Sequence, residues 1–307
     1  MARTRYAPDS GLTARMLLTM FLLGLVYVVV VTAVFVIAPS YGAVAVVIAG
    51  LFLIGQLYFS DRLALFAMHG REVTAQEAPE LHGVVDRICA MSDAPKPRVA
   101  IADTDVPNAF ATGRSQRQAV VCVTTGLLRR LDPVELEGVL SHEMAHIAHR
   151  DVAVMTVASF LGILAGLVTR FGLQWGLWGG FGNRNRNGDQ NTGLILLAVV
   201  VVSAIVYAIS FLLTRALSRY RELSADRAAA LLTGRPLALA SALTKVTGEM
   251  ARIPTGDLRA AEPFNAFYFA PAFSKGFSVA ALFSTHPSLE KRLEQLSKIS
   301  GELSRGA

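Results

Sequence analysis

The chain has 307 residues, of which 53 % are hydrophobic and only 17 % charged, against about 25 % charged in an average soluble domain. Its mean hydropathy of +0.46 excludes a disordered chain, and its two cysteines, Cys89 and Cys122, are too few for a disulfide scaffold. The net charge of +6, without any finger, RNP or basic-helix pattern, points to anionic lipid and not to nucleic acid. So large an apolar excess needs a bilayer or an unusually large core, and the length leaves room for a membrane part plus a compact domain. Two thiols fit a reducing compartment.

Residues 16–38 form an uncharged run of 23 residues, and residues 41–60 a second of 20. About 20 helical residues cross a hydrocarbon core. Only Pro39-Ser40 separates the runs, so they read as a tight transmembrane hairpin, residues 1–60. The first run is too long for a signal peptide and is followed at once by another. Arg3, Arg5 and Arg15 precede the hairpin, Arg62 and Arg71 follow it, and its tip has no basic residue. Both ends are expected at the cytoplasmic face of the cell membrane.

Residues 61–151 are expected to form the first part of a soluble domain. Glu77–Met91 has Leu81, Val84, Val85 and Ile88 on one helical face, and Pro95 and Pro97 stop it. Arg98–Ile101, Asn108–Thr112 and Ala119–Thr124 read as three short strands. Asp132-Pro133-Val134-Glu135 is a helix start, with Asp as the cap, Pro at the first position and Glu at the third. The helix should run to about His149.

Residues 152–214 hold two more apolar runs, an 18-residue one ending at Thr169 and a 25-residue one over 190–214, joined by a Gly/Asn-rich loop. They read as a second spanning hairpin, the alternative being buried helices of the globular domain. Basic residues do not decide between these, because Arg184 and Arg186 lie in the loop while Arg150, Arg215, Arg219 and Arg221 lie at the other end. Residues 215–307 are expected to complete the soluble domain. They should hold a helix that leaves the membrane at Thr214 and runs to Leu232, stopped by Gly234 and Pro236, a helix over Ala238–Met250, and a last one over Pro287–Ile299. The fold expected is a mainly α integral membrane protein with a small β-sheet.

The chemistry concentrates in Ser141-His142-Glu143-Met144-Ala145-His146. Histidines four apart on a helix share a face and can reach one metal ion. Glu143, beside the first of them, is placed to take a proton from the attacking water. Imidazole donors suit zinc, and a catalytic zinc keeps three protein ligands. His149 is three residues beyond His146, but three ligands from one straight helix converge poorly. Glu222 is the better third ligand, with Asp226 one turn on and able to accept the other ring N–H of His142. By spacing alone Glu222 could equally be an exposed helix residue paired with an arginine.

Together these features resemble the HtpX-type membrane-bound zinc metalloproteases, a gluzincin-like group on the same branch as the CAAX-prenyl endopeptidases. The likeness spans nearly the whole chain. It rests on the hydrophobic hairpin, Pro107–Gly113, the His142–His146 motif followed by Arg150-Asp151, the Glu222/Asp226 pair, and Thr285-His286-Pro287-Ser288 with Arg292. Leu223 departs from it, since an aromatic residue usually follows the ligand glutamate.

The resemblance implies a zincin-like protease domain with one zinc per chain on His142, His146 and Glu222, and Glu143 as the acid–base residue. It places His286 near the metal, where an imidazolium would stabilise developing negative charge, with Arg292 beside it. Read without the likeness, His286 is a loop histidine before the last helix. Asn108, Ala109, Phe110 and Ala111 would bind an extended peptide along a strand edge, or serve as a plain structural strand.

The implied function is an endopeptidase that clears damaged or misfolded membrane proteins at the cytoplasmic face. Its partners are unfolded or membrane-protein substrates and the lipid bilayer, not nucleic acid. A processing protease of the prenyl-protein type and a non-catalytic membrane scaffold are the competing readings. The aromatic stretch 262–271 is expected to cover the cleft, face the membrane or pack in the core.

Overall fold

The computed structural model describes residues 9–37, 39–175, 190–250 and 286–306. Helix α1 (Ser10–Ile37) starts on Asp9, whose carboxylate accepts the Leu12 N–H at 2.8 Å. α2 is Pro39–Ala67. Three helical stretches among the described residues are long and apolar enough to span a bilayer: Ser10–Thr32, Val46–Ala67 and Val199–Thr233. Val154–Gly166 is a shorter apolar stretch.

The chain divides into two compact units. The first contains the described residues 9–13, 56–153, 218–250 and 286–306. It is built on a sheet of β1 (Gly70–Glu72), β2 (Arg98–Ala102), β3 (Ala109–Thr112) and β4 (Val120–Thr124), in the order β1-β2-β4-β3. β2 and β4 run parallel, and the two outer pairings are antiparallel. β3 is therefore an edge strand. The sequence reading has three strands. The fourth, β1, is only Gly-Arg-Glu and carries no alternating apolar signal.

α3 (Pro79–Ser92) buries Leu81, Val84, Val85 and Ile88, the stripe read from periodicity, and ends at Asp93 in a left-handed conformation. The short α4 (Thr125–Leu128) is capped by Thr124. α5 (Pro133–Ala148) then opens on the expected capping box, with Asp132 accepting the Glu135 N–H and Glu135 reaching back to the Asp132 N–H.

Every residue of α5 from Glu135 to His146 is buried. Such a helix must be satisfied on all faces. β3 and β4 cover one side and α3 and α8 (Pro236–Met250) others. Gly138 lets α8 approach closely, since a Cβ there would sit 3.3 Å from the Leu239 backbone. Polar residues finish the docking. Lys245 and Ser241 of α8 bind Glu135 at 2.6 Å each, and Arg87 of α3 binds Glu137 at 3.2 Å.

The second unit contains the described residues 14–37, 39–55, 154–175 and 190–217, drawn from α1, α2, α6 (Asp151–Trp175) and α7 (Gln190–Thr233). Gly162 and Gly166 of α6 face α7, where added Cβ atoms would lie 3.4 Å from Ser210 and 3.3 Å from Tyr207. Small residues four apart let two apolar helices approach closely. α7 continues without a break to Thr233, so the 25-residue apolar run and the helix carrying Glu222 are one 44-residue element. The last described helix, α9, is Leu289–Gly306, which starts two residues later and ends further on than its leucine spacing suggests.

Candidate metal centre

His142 and His146 project from the same face of α5 with their Nε2 atoms 3.2 Å apart. The rings stand nearly perpendicular, at 89°. Each Nδ1 meets a buried carboxylate: His142 lies 2.8 Å from Asp226 Oδ1, and His146 lies 2.7 Å from Asp151 Oδ2. A carboxylate only accepts, so each Nδ1 carries the hydrogen and each Nε2 turns a lone pair inward. Two lone pairs facing each other at 3.2 Å repel unless a cation lies between them.

Glu222 closes the third side. Its Oε2 is 3.6 Å from His142 Nε2, and its Oε1 is 3.5 Å from His146 Nε2. Ligand atoms of the three residues all lie within 4.8 Å of one another. Tetrahedral donors at bond lengths of about 2.0–2.1 Å stand roughly 3.3–3.4 Å apart. The cluster matches that spacing, so the residues present fit a small divalent ion.

Each carboxylate behind a histidine is itself held by an arginine. Arg292, 2 % exposed, donates from Nε and Nη2 to Asp226 at 2.7 Å each. Arg221 is ion-paired to Asp151 at 2.9 Å. Burial alone would raise the Asp151 carboxyl, but Arg221 and His146 more than offset it and hold it below its usual range. Burial lowers His146.

The sequence reading singles out Asp226 and Arg292 but gives Asp151 no task and treats Arg221 only as a topological marker. Asp151 lies five residues after His146, a separation that shares no helical face. It reaches back because α5 ends at Ala148 and Arg150 adopts a left-handed φ of 58°. A signal was present in the adjacent Arg150-Asp151 after the histidine motif, but helical spacing gives it no partner.

Glu143 is buried, and its Oε2 accepts the Ala111 N–H of β3 at 3.0 Å. Desolvation, helped by the Glu222 charge, pushes its carboxyl up to about 7, against the lowering pull of the Ala111 hydrogen bond. The Ala111 N–H thus points away from β4, and strand alternation puts the main-chain groups of Ala109 on the same outer edge. Asn108 faces the other way. Its N–H donates to Thr124 Oγ1 at 2.9 Å, and its carbonyl accepts the Thr124 N–H at 2.9 Å. Phe110 is buried in the core.

His286 Nδ1 is 3.0 Å from Glu222 Oε2, and Arg292 Nη1 is 3.8 Å from the same oxygen. The structure therefore brings His142, Glu143, His146, Glu222, Asp226, His286 and Arg292 together. His149 caps the end of α5 and is not among the converging donors. Residues 262–271 and Thr285 lie outside the described residues.

Comparison with known proteins agrees in extent with this arrangement. A sequence profile of peptidase family M48 matches residues 75–300. "Protease HtpX homolog 1" of Streptomyces coelicolor is 61 % identical over 301 residues, covering 98 % of this chain and 97 % of that one. "Protease HtpX homolog" of Moorella thermoacetica is 50 % identical over 98 % of both chains. In Pyrococcus furiosus a protein with that same name is 42 % identical over 80 % of this chain and 82 % of its own.

Among solved structures, the crystal structure of S. mikatae Ste24p aligns with a TM-score of 0.52 at 16 % identity. It covers 92 % of this chain and 65 % of that one, a likeness of fold. With the profile spanning most of its length and relatives at 50–61 % identity from end to end, the chain belongs to peptidase family M48, as a membrane metalloprotease of the HtpX type.

Proposed function

We propose that the chain is a zinc-dependent endopeptidase that cuts damaged or misfolded membrane proteins at the cytoplasmic face of the cell membrane. One observation carries the chemistry. Two histidine Nε2 atoms face each other at 3.2 Å, both Nδ1 atoms are engaged by carboxylates, and Glu222 lies across from them. His142, His146 and Glu222 would hold the ion. When bound, zinc would polarise the scissile carbonyl and acidify the attacking water.

The remaining work falls to the protein. Glu143 takes the proton of the attacking water and returns it to the leaving amine, and the Ala111 N–H holds its carboxylate in place. Asp226 and Asp151 fix the tautomer and direction of the two imidazoles. Arg292 brings positive charge beside Glu222, and His286 lies next to the same carboxylate, where a protonated imidazole would stabilise negative charge developing on the substrate oxygen.

An extended substrate pairs with the outer edge of β3 through the main chain of Ala109 and the carbonyl of Ala111, whose N–H stays on Glu143, with Asn108 and Phe110 anchoring the strand from behind. Main-chain pairing reads shape more than sequence and suits unfolded clients. The cytoplasmic orientation is supported by Arg3, Arg5, Arg15, Arg62 and Arg71 at the hairpin ends and by the absence of basic residues at its tip.

The test compares wild type with Glu143→Gln, purified in detergent, for casein cleavage and self-cleavage with and without chelator. We expect chelator to abolish wild-type cleavage and the variant to lose about 100-fold or more. Equal cleavage by both proteins would contradict the mechanism.

A further inference from the structure

The arginines of the first unit differ in their partners. Arg71, Arg87, Arg98, Arg129, Arg130, Arg221, Arg235 and Arg292 are each ion-paired with a carboxylate. Arg62, Arg114, Arg117, Arg150, Arg227 and Arg305 are exposed and have no acidic partner among the described residues.

Four of these, Arg62, Arg114, Arg117 and Arg150, lie around one loop, the β3–β4 connection Gly113–Ala119. The loop contains two arginines and no acid. It is held in place at both sides. The Arg114 guanidinium lies 3.8 Å above the ring of Tyr58, inside the apolar stretch Val46–Ala67 of α2. Gln116 Nε2 donates to the carbonyl of Ala148 at 3.2 Å, three residues before α6 begins at Asp151. Arg62 is one helical turn beyond Tyr58 on the same face of α2, and Arg150 lies two residues beyond Ala148.

The loop is also preformed. Gly113 has φ +135°, and a Cβ there would lie 2.7 Å from the backbone of Gln118 and Ala119. A tight turn with its guanidiniums already facing outward loses little conformational freedom on binding. Its neighbours on α2, Phe59, Leu63 and Phe66, are exposed apolar residues, as expected of a lipid-facing helix. Unpaired guanidiniums where an apolar helix reaches its first charges match the chemistry of lipid phosphodiesters, which accept hydrogen bonds from Arg and are anionic.

We propose that Arg114 and Arg117, flanked by Arg62 and Arg150, form a binding site for anionic phospholipid headgroups on the protease unit. The test uses the full chain in neutral detergent and follows thermal unfolding while short-chain phosphatidylglycerol, short-chain phosphatidylcholine or inorganic phosphate is added. Wild type, Arg114→Gln/Arg117→Gln and the control Arg71→Gln are compared.

We expect phosphatidylglycerol alone to raise the wild-type midpoint. The double variant should keep the lipid-free midpoint and casein cleavage of wild type, but need about tenfold or more phosphatidylglycerol for the same rise, since each guanidinium near an anionic surface is worth roughly fivefold in affinity. Arg71→Gln should respond as wild type. A wild-type response in the double variant would overturn the proposal, as would equal shifts from phosphatidylcholine or phosphate. If the double variant unfolds without lipid, Arg117→Gln alone decides, with a shift of about fivefold expected and none overturning it.

Discussion

Asp151 and Asp226 do the same job from different elements, and that symmetry makes a test possible. Each receives a histidine Nδ1–H and is braced by an arginine. Asp151→Asn should keep the shape but weaken zinc binding by about 10–100-fold, as loss of a carboxylate behind a metal-bound histidine does. Competition with a coloured chelator measures this without recourse to activity. His149→Gln should leave zinc affinity unchanged, because His149 is not among the converging donors; a matching loss there would reopen His149 as a ligand. The histidine pair was legible because four-residue spacing and an independent helix cap agree. Glu222 was not fixed by spacing. It lies 76 residues beyond His146, and no local pattern measures such a separation. Asp151 escaped because its contact depends on the left-handed turn at Arg150.

Among the elements, α5 was the most legible and β1 the least. The α5 start is encoded in four consecutive residues, whereas β1 is held by pairing with β2 and not by its own side chains. The docking of α5 on α8 should depend on pH. Burial opposes charge on Glu135, but Lys245, Ser241 and the Asp132 N–H hold its carboxyl below the usual value of 4.5. A depressed folded pKa stabilises above the unfolded value, and that contribution is lost as pH falls through the lower folded value. Wild type should therefore lose stability below about pH 4.5 more steeply than Glu135→Gln, read as unfolding midpoint against pH. Parallel pH profiles would show that the clamp contributes nothing. In the second unit, Gly162 and Gly166 fall within the 18-residue apolar run that ends at Thr169. They are close-approach sites for α7. Gly166→Leu must displace Tyr207 and should cost about 1–3 kcal/mol, seen as a lower unfolding midpoint in detergent with zinc content retained.

For the whole molecule, composition required a bilayer or an unusually large core, the long uncharged runs pointed to the bilayer, and three long apolar helices among the described residues agree with it. The chain should stay with the membrane pellet through alkaline carbonate extraction and need detergent for release. The longest described helix, α7, contains both an apolar stretch and Glu222. The sequence places the start of the soluble helix at Thr214, where the apolar run ends, and the structure joins the two in one helix, because hydropathy changes along it while the backbone hydrogen bonding does not. Zinc content per purified chain, compared among wild type, Glu143→Gln and Glu222→Gln, tests the metal centre most directly. The account predicts about one zinc in wild type and in the inactive Glu143→Gln, and loss of tight zinc from Glu222→Gln. Wild-type zinc affinity in Glu222→Gln would contradict it.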